Sequence, residues 1–144
     1  MAAALEASLT RAGFAGPDAT PTGGDTWAVD FHIAPRAGHE EYNEVRSTIV
    51  IQPGEPPAVV LRLPQVPSSY WDEAEAMAGR AARASPGGWR ARVHTAEETR
   101  KDVARVHLVW DDSRPDISPG EIVSTINIAV EAYFDARPGP SVSL

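Results

Sequence analysis

Strict alternation of apolar and polar residues marks the most regular strand that the chain predicts. It runs through residues 25–33, where every second side chain is large and apolar and most of those between are polar. The apolar set is Trp27, Val29, Phe31 and Ile33. A period of two predicts a half-buried β-strand whose apolar side faces a core.

Residues 89–94 and 105–110 alternate in a complementary way and predict a second region of sheet. If Trp89 lies opposite Trp110, Ala91 faces Leu108 and the next apolar pair follows on the same side. The opposite side of this hairpin then carries basic and imidazole groups. They are Arg90, Arg92, His94, Arg105 and His107. A register shifted by two residues leaves every side chain on the same side of the sheet. The assignment of residues to the two faces is therefore safer than the exact pairing.

Composition and turn signals predict the elements between these strands. Residues 46–52 are rich in β-branched side chains, and a proline- and glycine-rich turn separates them from residues 58–63, which predicts a hairpin. Residues 2–13 and 70–84 are predicted to be helices. Residues 17–24 show no periodicity and are predicted to form a turn-rich loop.

The last helix, predicted over residues 118–136, has the strongest start signal. Ser118 is an expected N-cap, Pro119 fits the first helical position, and Glu121 completes a capping box. The resulting order is α-β-β-β-α-β-β-α. It predicts one α+β domain over residues 1–144, with a mainly antiparallel five-stranded sheet and helices packed on one face.

Charge and cysteine content narrow the range of functions. The 144 residues include 13 Lys and Arg against 20 Asp and Glu, a formal net charge of −7. An acidic chain is a poor general binder of nucleic acid, and no apolar run is long enough for a membrane span, so neither partner is expected. The absence of cysteine excludes disulfides and cysteine-ligated metals and fits a cytoplasmic location.

Catalytic and metal-binding patterns are weak in this sequence. His32, His94 and His107 are expected on one sheet face, where three imidazoles would suit zinc, but the arginines around them would repel a cation. His39 falls in a polar segment without a helical zinc motif. No serine elbow, dinucleotide fingerprint or phosphate loop is present. We therefore expect no metal, no cofactor and no enzymatic activity.

The charge is distributed unevenly along the chain. Residues 80–105 contain seven basic and three acidic residues, a local balance of +4, which leaves −7 − 4 = −11 for the rest. With Arg62 from the third predicted strand, the exposed sheet face is expected to be basic. Such a face would receive an acidic peptide or another anion through charge-assisted hydrogen bonds. The candidate anion-binding residues are Arg62, Arg90, Arg92, His94, Arg105 and His107.

A second set of candidates lies on the helix predicted over residues 70–84. Tyr70 and Trp71 form an aromatic pair at its start, and aromatic residues of this kind are enriched at protein interfaces. Met77 follows on the same helix. These three residues are candidates for contact with a partner protein.

The predicted elements together resemble the type III secretion chaperone-like superfamily, which includes class I secretion chaperones and YbjN-type domains. The resemblance is carried by the strand at 25–33, the hairpin at 46–63, the helix at 70–84, the hairpin at 89–110 and the helix at 118–136. It implies a non-enzymatic, homodimeric module that holds an extended segment of a partner protein. The alternatives are a domain that binds a small anion or acidic ligand on its arginine-rich sheet, and an antitoxin-like immunity protein.

Overall fold

Six antiparallel strands form a single sheet in the computed structural model, which describes residues 1–34, 46–84, 88–95, 103–110 and 114–135. The strands are β1 (Ala15–Gly23), β2 (Thr26–His32), β3 (Arg46–Ile51), β4 (Ala58–Pro67), β5 (Trp89–Thr95) and β6 (Val103–Trp110). The helices are α1 (Ala2–Arg11), α2 (Trp71–Ala84) and α3 (Pro119–Asp135). The strands lie in the order β1-β2-β3-β4-β6-β5. The predicted α+β class and antiparallel sheet are confirmed.

The predicted number of five strands is wrong, because the segment expected to be a loop forms β1. This strand pairs with β2 along one edge of the sheet, and nearly all of its side chains are exposed or half-buried. Pro17 and Pro21 are tolerated there because an edge strand has a side that needs no backbone donor. Gly16, at φ +60°, lies where the register shifts between Ala15 and Asp18. None of its side chains is fully buried, so β1 carries no apolar alternation that a sequence pattern would reveal.

The strand predicted over residues 58–63 extends further than expected. β4 continues to Pro67, and its pairing with β6 shifts between Leu63 and Val66, so that Pro64 and Gln65 form a bulge. A short 3₁₀ turn, Ser68–Tyr70, then leads into α2. The prolines at the end of β4 are accommodated by the bulge and the turn.

All three helices bury their apolar sides in one core with the sheet. α1 contacts β1 and β2, α2 contacts β4, β5 and β6, and α3 contacts both other helices. Leu61 and Leu108, paired at the centre of the sheet, are fully buried, as is Ile126 on α3. Each such side chain contributes roughly 2 kcal/mol by leaving water.

The second hairpin has the predicted register. Trp89 pairs with Trp110 and Ala91 with Leu108 across β5 and β6. The two indole rings are stacked, with centroids 5.7 Å apart and planes at 16°. Both are buried, whereas Trp27, expected on the same apolar side of the sheet, remains 37% exposed.

The start of α3 follows the predicted capping chemistry. The Ser118 hydroxyl accepts a hydrogen bond from the Glu121 backbone N–H at 3.2 Å and donates to its carboxylate. Arg114 Nη2 also donates to that carboxylate, at 2.7 Å. The hydrogen bond from Arg114, assisted by Ser118, lowers the pKa of Glu121. Acceptors at this terminus satisfy backbone donors that a helix leaves unpaired.

Candidate anion-binding face

The side of the sheet opposite the helices carries a concentration of basic side chains, which we call the basic face. Its members alternate along β3, β4, β5 and β6 with the residues that enter the core. They are Arg46, Arg62, Arg90, Arg92, His94, Arg105 and His107. The six candidates expected from sequence therefore lie on one face.

The register places His107 at the centre of these groups. Arg62 of β4 pairs with His107 from one side, and Arg92 of β5 pairs with it from the other. On the next pair along the hairpin, His94 lies opposite Arg105. Four basic side chains on three neighbouring strands thus surround His107, and we call these five residues the His107 cluster.

The two imidazoles of the cluster contact each other. His94 Nε2 lies 3.4 Å from His107 Nδ1, and the rings meet edge to face with centroids 4.6 Å apart. The other nitrogen of His94, Nδ1, lies 2.9 Å from the carbonyl oxygen of Thr95. Three of the four ring nitrogens therefore have a polar neighbour: His94 Nδ1, His94 Nε2 and His107 Nδ1.

Burial and positive charge act together on His107. Burial is the larger cause, followed by His94, Arg62, Arg105 and Arg92, and together they lower its pKa to about 4. Among the described residues, every charged group that shifts the pKa of this ring is basic. His107 is consequently neutral at neutral pH.

Two polar atoms of the cluster have no hydrogen-bond partner. Arg105 Nε and His107 Nε2 are both buried and both unpaired. The bulge at Pro64 and Gln65 lies opposite Arg105, where the regular ladder between β4 and β6 is interrupted. Buried polar groups without partners are rare in folded proteins, and here two occur on adjacent members of one basic cluster.

A carboxylate on β2 compensates part of the basic face. Asp30 accepts a hydrogen bond from the Thr48 hydroxyl at 2.8 Å and lies 3.6 Å from Arg46 Nη1. Arg62 Nη1 donates to the Arg46 carbonyl at 2.9 Å, which fixes the guanidinium between β3 and β4. Arg46 was not among the candidates predicted from the sequence, although it lies two residues before Thr48 on β3 and so faces the same side of the sheet. The other basic groups of the face lie on β4, β6 and β5, away from Asp30 on β2.

The remaining sequence candidates occupy other positions. Tyr70 is 52% exposed at the 3₁₀ turn, Trp71 is half-buried against the core, and Met77 is 3% exposed and belongs to the core. Met77 therefore offers little surface to a partner. His32 lies on β2, with β3 and β4 between it and His107, so the three imidazoles do not converge. His39 lies outside the described residues.

A groove of about 470 Å³ at the end of the sheet explains the exposure of Trp27. It is lined by Trp27, Ile51, Pro53, Pro57 and Pro115 among others, and no basic side chain contributes to its lining. The groove is therefore separate from the basic face. Across the described ranges, no group of three potential metal ligands is found.

Comparison with known proteins gives no assignment: no family model, no curated protein and no solved structure matches this chain. In the part of the chain that the structure describes, no helix has the length and apolar character needed to cross a membrane.

Proposed function

We propose that this protein is a non-catalytic, chaperone-like or adaptor module that binds an extended acidic segment of a partner protein on its basic face. The observation that carries the proposal is the His107 cluster, where four basic groups from three strands surround His107. The chain as a whole carries a net charge of −7, so this concentration is local. Charge complementarity of this kind supports specificity and speeds association.

The spacing of the basic groups favours an extended peptide over an isolated small anion. Arg90, Arg92 and His94 occupy every second position of β5, so neighbouring side chains are roughly 7 Å apart along the strand. Alternate side chains of an extended peptide have the same spacing. An acidic segment with a carboxylate at every second residue would therefore match the cationic rows of the sheet.

The rest of the proposal follows from the same charge distribution. The acidic remainder of the molecule would repel an acidic partner everywhere except at the basic face, which orients the encounter. Nucleic acid, whose phosphates need a broad basic surface, is not the expected ligand. We place the protein in the cytoplasm, in agreement with its lack of cysteine, and propose that it acts as a homodimer.

The binding test uses a fluorescent peptide that alternates glutamate and threonine, titrated at low salt and read by fluorescence anisotropy. Arg92→Gln and Arg105→Gln are each expected to weaken binding by about tenfold, because each removes a charge-assisted hydrogen bond worth about 1.4 kcal/mol. Arg83→Gln is the matched control, because it makes the same charge change on an exposed position of α2. A peptide that alternates lysine and threonine should not bind.

Equal weakening in all three variants would contradict the proposal, since it would show a response to net charge alone. Binding of glutarate as tight as that of the peptide would show that the face recognises a single small anion. The dimer is tested separately by light scattering. A monomer at concentrations where the peptide binds would remove the dimer from the proposal and leave the basic face as a binding surface.

A further inference from the structure

The carbonyl of Thr95 determines where the proton sits on His94. A carbonyl oxygen only accepts hydrogen bonds, so the contact of 2.9 Å with His94 Nδ1 requires the proton on that nitrogen. When His94 is neutral, its Nε2 is then a lone pair. The tautomer of His94 follows from one main-chain neighbour.

The tautomer of His94 in turn determines that of His107. The lone pair on His94 Nε2 faces His107 Nδ1 at 3.4 Å, so a hydrogen bond between them requires the proton on His107 Nδ1. His107 Nε2, the buried atom without a partner, is then also a lone pair. In the neutral pair this buried nitrogen is therefore an acceptor, and it would repel an oxyanion.

One added proton reverses this property wherever it resides. If it resides on His107, that ring carries protons on both nitrogens and Nε2 is a donor. If it resides on His94, His94 Nε2 donates to His107 Nδ1, and neutral His107 then carries its proton on Nε2. In both arrangements His107 Nε2 changes from an acceptor to a donor, so the change at this atom does not depend on which ring holds the added proton.

The groups that face this atom complete a set of donors for an anion. Arg105 Nε lies on the same strand and is also buried without a partner. Arg62 faces the ring from β4, and Arg92 and His94 face it from β5. We propose that His107 Nε2 and Arg105 Nε form an oxyanion site that takes a carboxylate of the partner segment only when the His94–His107 pair has gained one proton. The inference rests on the proposed function only in naming a partner protein as the source of the carboxylate.

Proton uptake follows from the charges at the site. In the free protein, burial and the four basic neighbours hold the pKa of His107 at about 4, so His107 is neutral near pH 7. A bound oxyanion offsets the positive neighbours and favours the protonated pair. By linkage, a ligand that favours protonation binds more tightly as the pH falls.

The pKa of His107 in the free and in the anion-bound protein determines how strongly affinity depends on pH. If the bound anion restores the pKa of His107 to the ordinary imidazole value of about 6.5, affinity should rise about tenfold between about pH 8 and about pH 5.5. The pH range is chosen because the carboxylates of the peptide remain largely ionised within it.

The test uses isothermal titration calorimetry with inorganic sulfate, which does not titrate in this range, and with the glutamate–threonine peptide. For the unaltered protein we expect the tenfold rise in affinity, and uptake of up to one proton when buffers of different ionisation enthalpy are compared. His107→Gln should abolish both effects. His32→Gln, which removes an imidazole from β2 on the same side of the sheet, should leave both unchanged.

Should His107→Gln fail to fold, His94→Gln provides the second test, because it removes the ring that fixes the tautomer of His107. Peptide binding that weakens in Arg92→Gln but does not vary with pH, with no proton uptake, would overturn the oxyanion site and leave the proposed function standing. Absence of binding by sulfate and peptide at every pH would overturn both. Sulfate binding linked to protons, without any peptide binding, would support the oxyanion site and overturn the partner segment.

Discussion

Replacement of Tyr133 by phenylalanine is expected to stabilise the protein. Tyr133 lies on α3 with 1% of its surface exposed, and its hydroxyl has no hydrogen-bond partner. Burial without a partner raises the pKa of this phenol above its ordinary value. The ring itself is well packed, edge to face against Phe134 at 5.2 Å. The substitution therefore removes the unpaired group and keeps the packing.

The magnitude follows from the cost of the unpaired hydroxyl. A buried polar group without a partner costs about 1–3 kcal/mol of stability. Its removal recovers this cost, but the small void left by the oxygen offsets part of the gain. We expect a net gain of about 1 kcal/mol in the free energy of unfolding. For a chain of 144 residues this corresponds to a rise of about 3 °C in Tm.

The assay is urea and thermal unfolding followed by circular dichroism, with Tyr70→Phe as the control. Tyr70 is 52% exposed, so loss of its hydroxyl should change stability by no more than about 0.5 kcal/mol. A loss of more than about 1 kcal/mol in Tyr133→Phe would refute the reasoning, because it would show that the hydroxyl makes a net favourable hydrogen bond.

Two further predictions concern the helix cap and the response to acid. Ser118→Ala removes the acceptor for the Glu121 N–H and should lower the free energy of unfolding by about 1 kcal/mol in urea, whereas Ser124→Ala, exposed within the same helix, should not; equal effects would contradict the capping role. Without oxyanions, the free energy of unfolding should fall by roughly 1 kcal/mol as the pH decreases from 6.5 to about 4. Over this range His107 binds a proton in the unfolded chain but not in the folded protein. The figure allows for screening by solvent, because the side chain is only half-buried. His107→Gln should lose this part of the slope, and an unchanged slope would contradict it.

The second hairpin was predictable because two alternating segments constrain each other. Only registers that differ by an even number of residues place Trp89, Trp110 and the apolar residues between them on one side. The structure has one of these registers, with Trp89 paired to Trp110. β1 could not be predicted in the same way. None of its side chains is fully buried, and its prolines and glycines resemble a loop in any local pattern.

Membership of the basic face was predictable, but its arrangement was not. The parity of each strand decides which side chains leave the core, and this is a local property of the sequence. The contact of Arg62 with the cluster depends on β4 pairing with β6, which is a property of the strand order. The tautomer of the histidine pair depends on the Thr95 carbonyl, and no residue pattern encodes that contact.

The two edges of the sheet differ in a way that affects aggregation. β1 carries two prolines and two register shifts, whereas β5 pairs with β6 without interruption and contains no proline. Fibril growth by edge pairing requires two receptive edges on every molecule, one to join the stack and one to extend it. Because β1 is a poor template, pairing through β5 would end after a second copy, and the native sheet cannot serve as the repeating unit of an open filament.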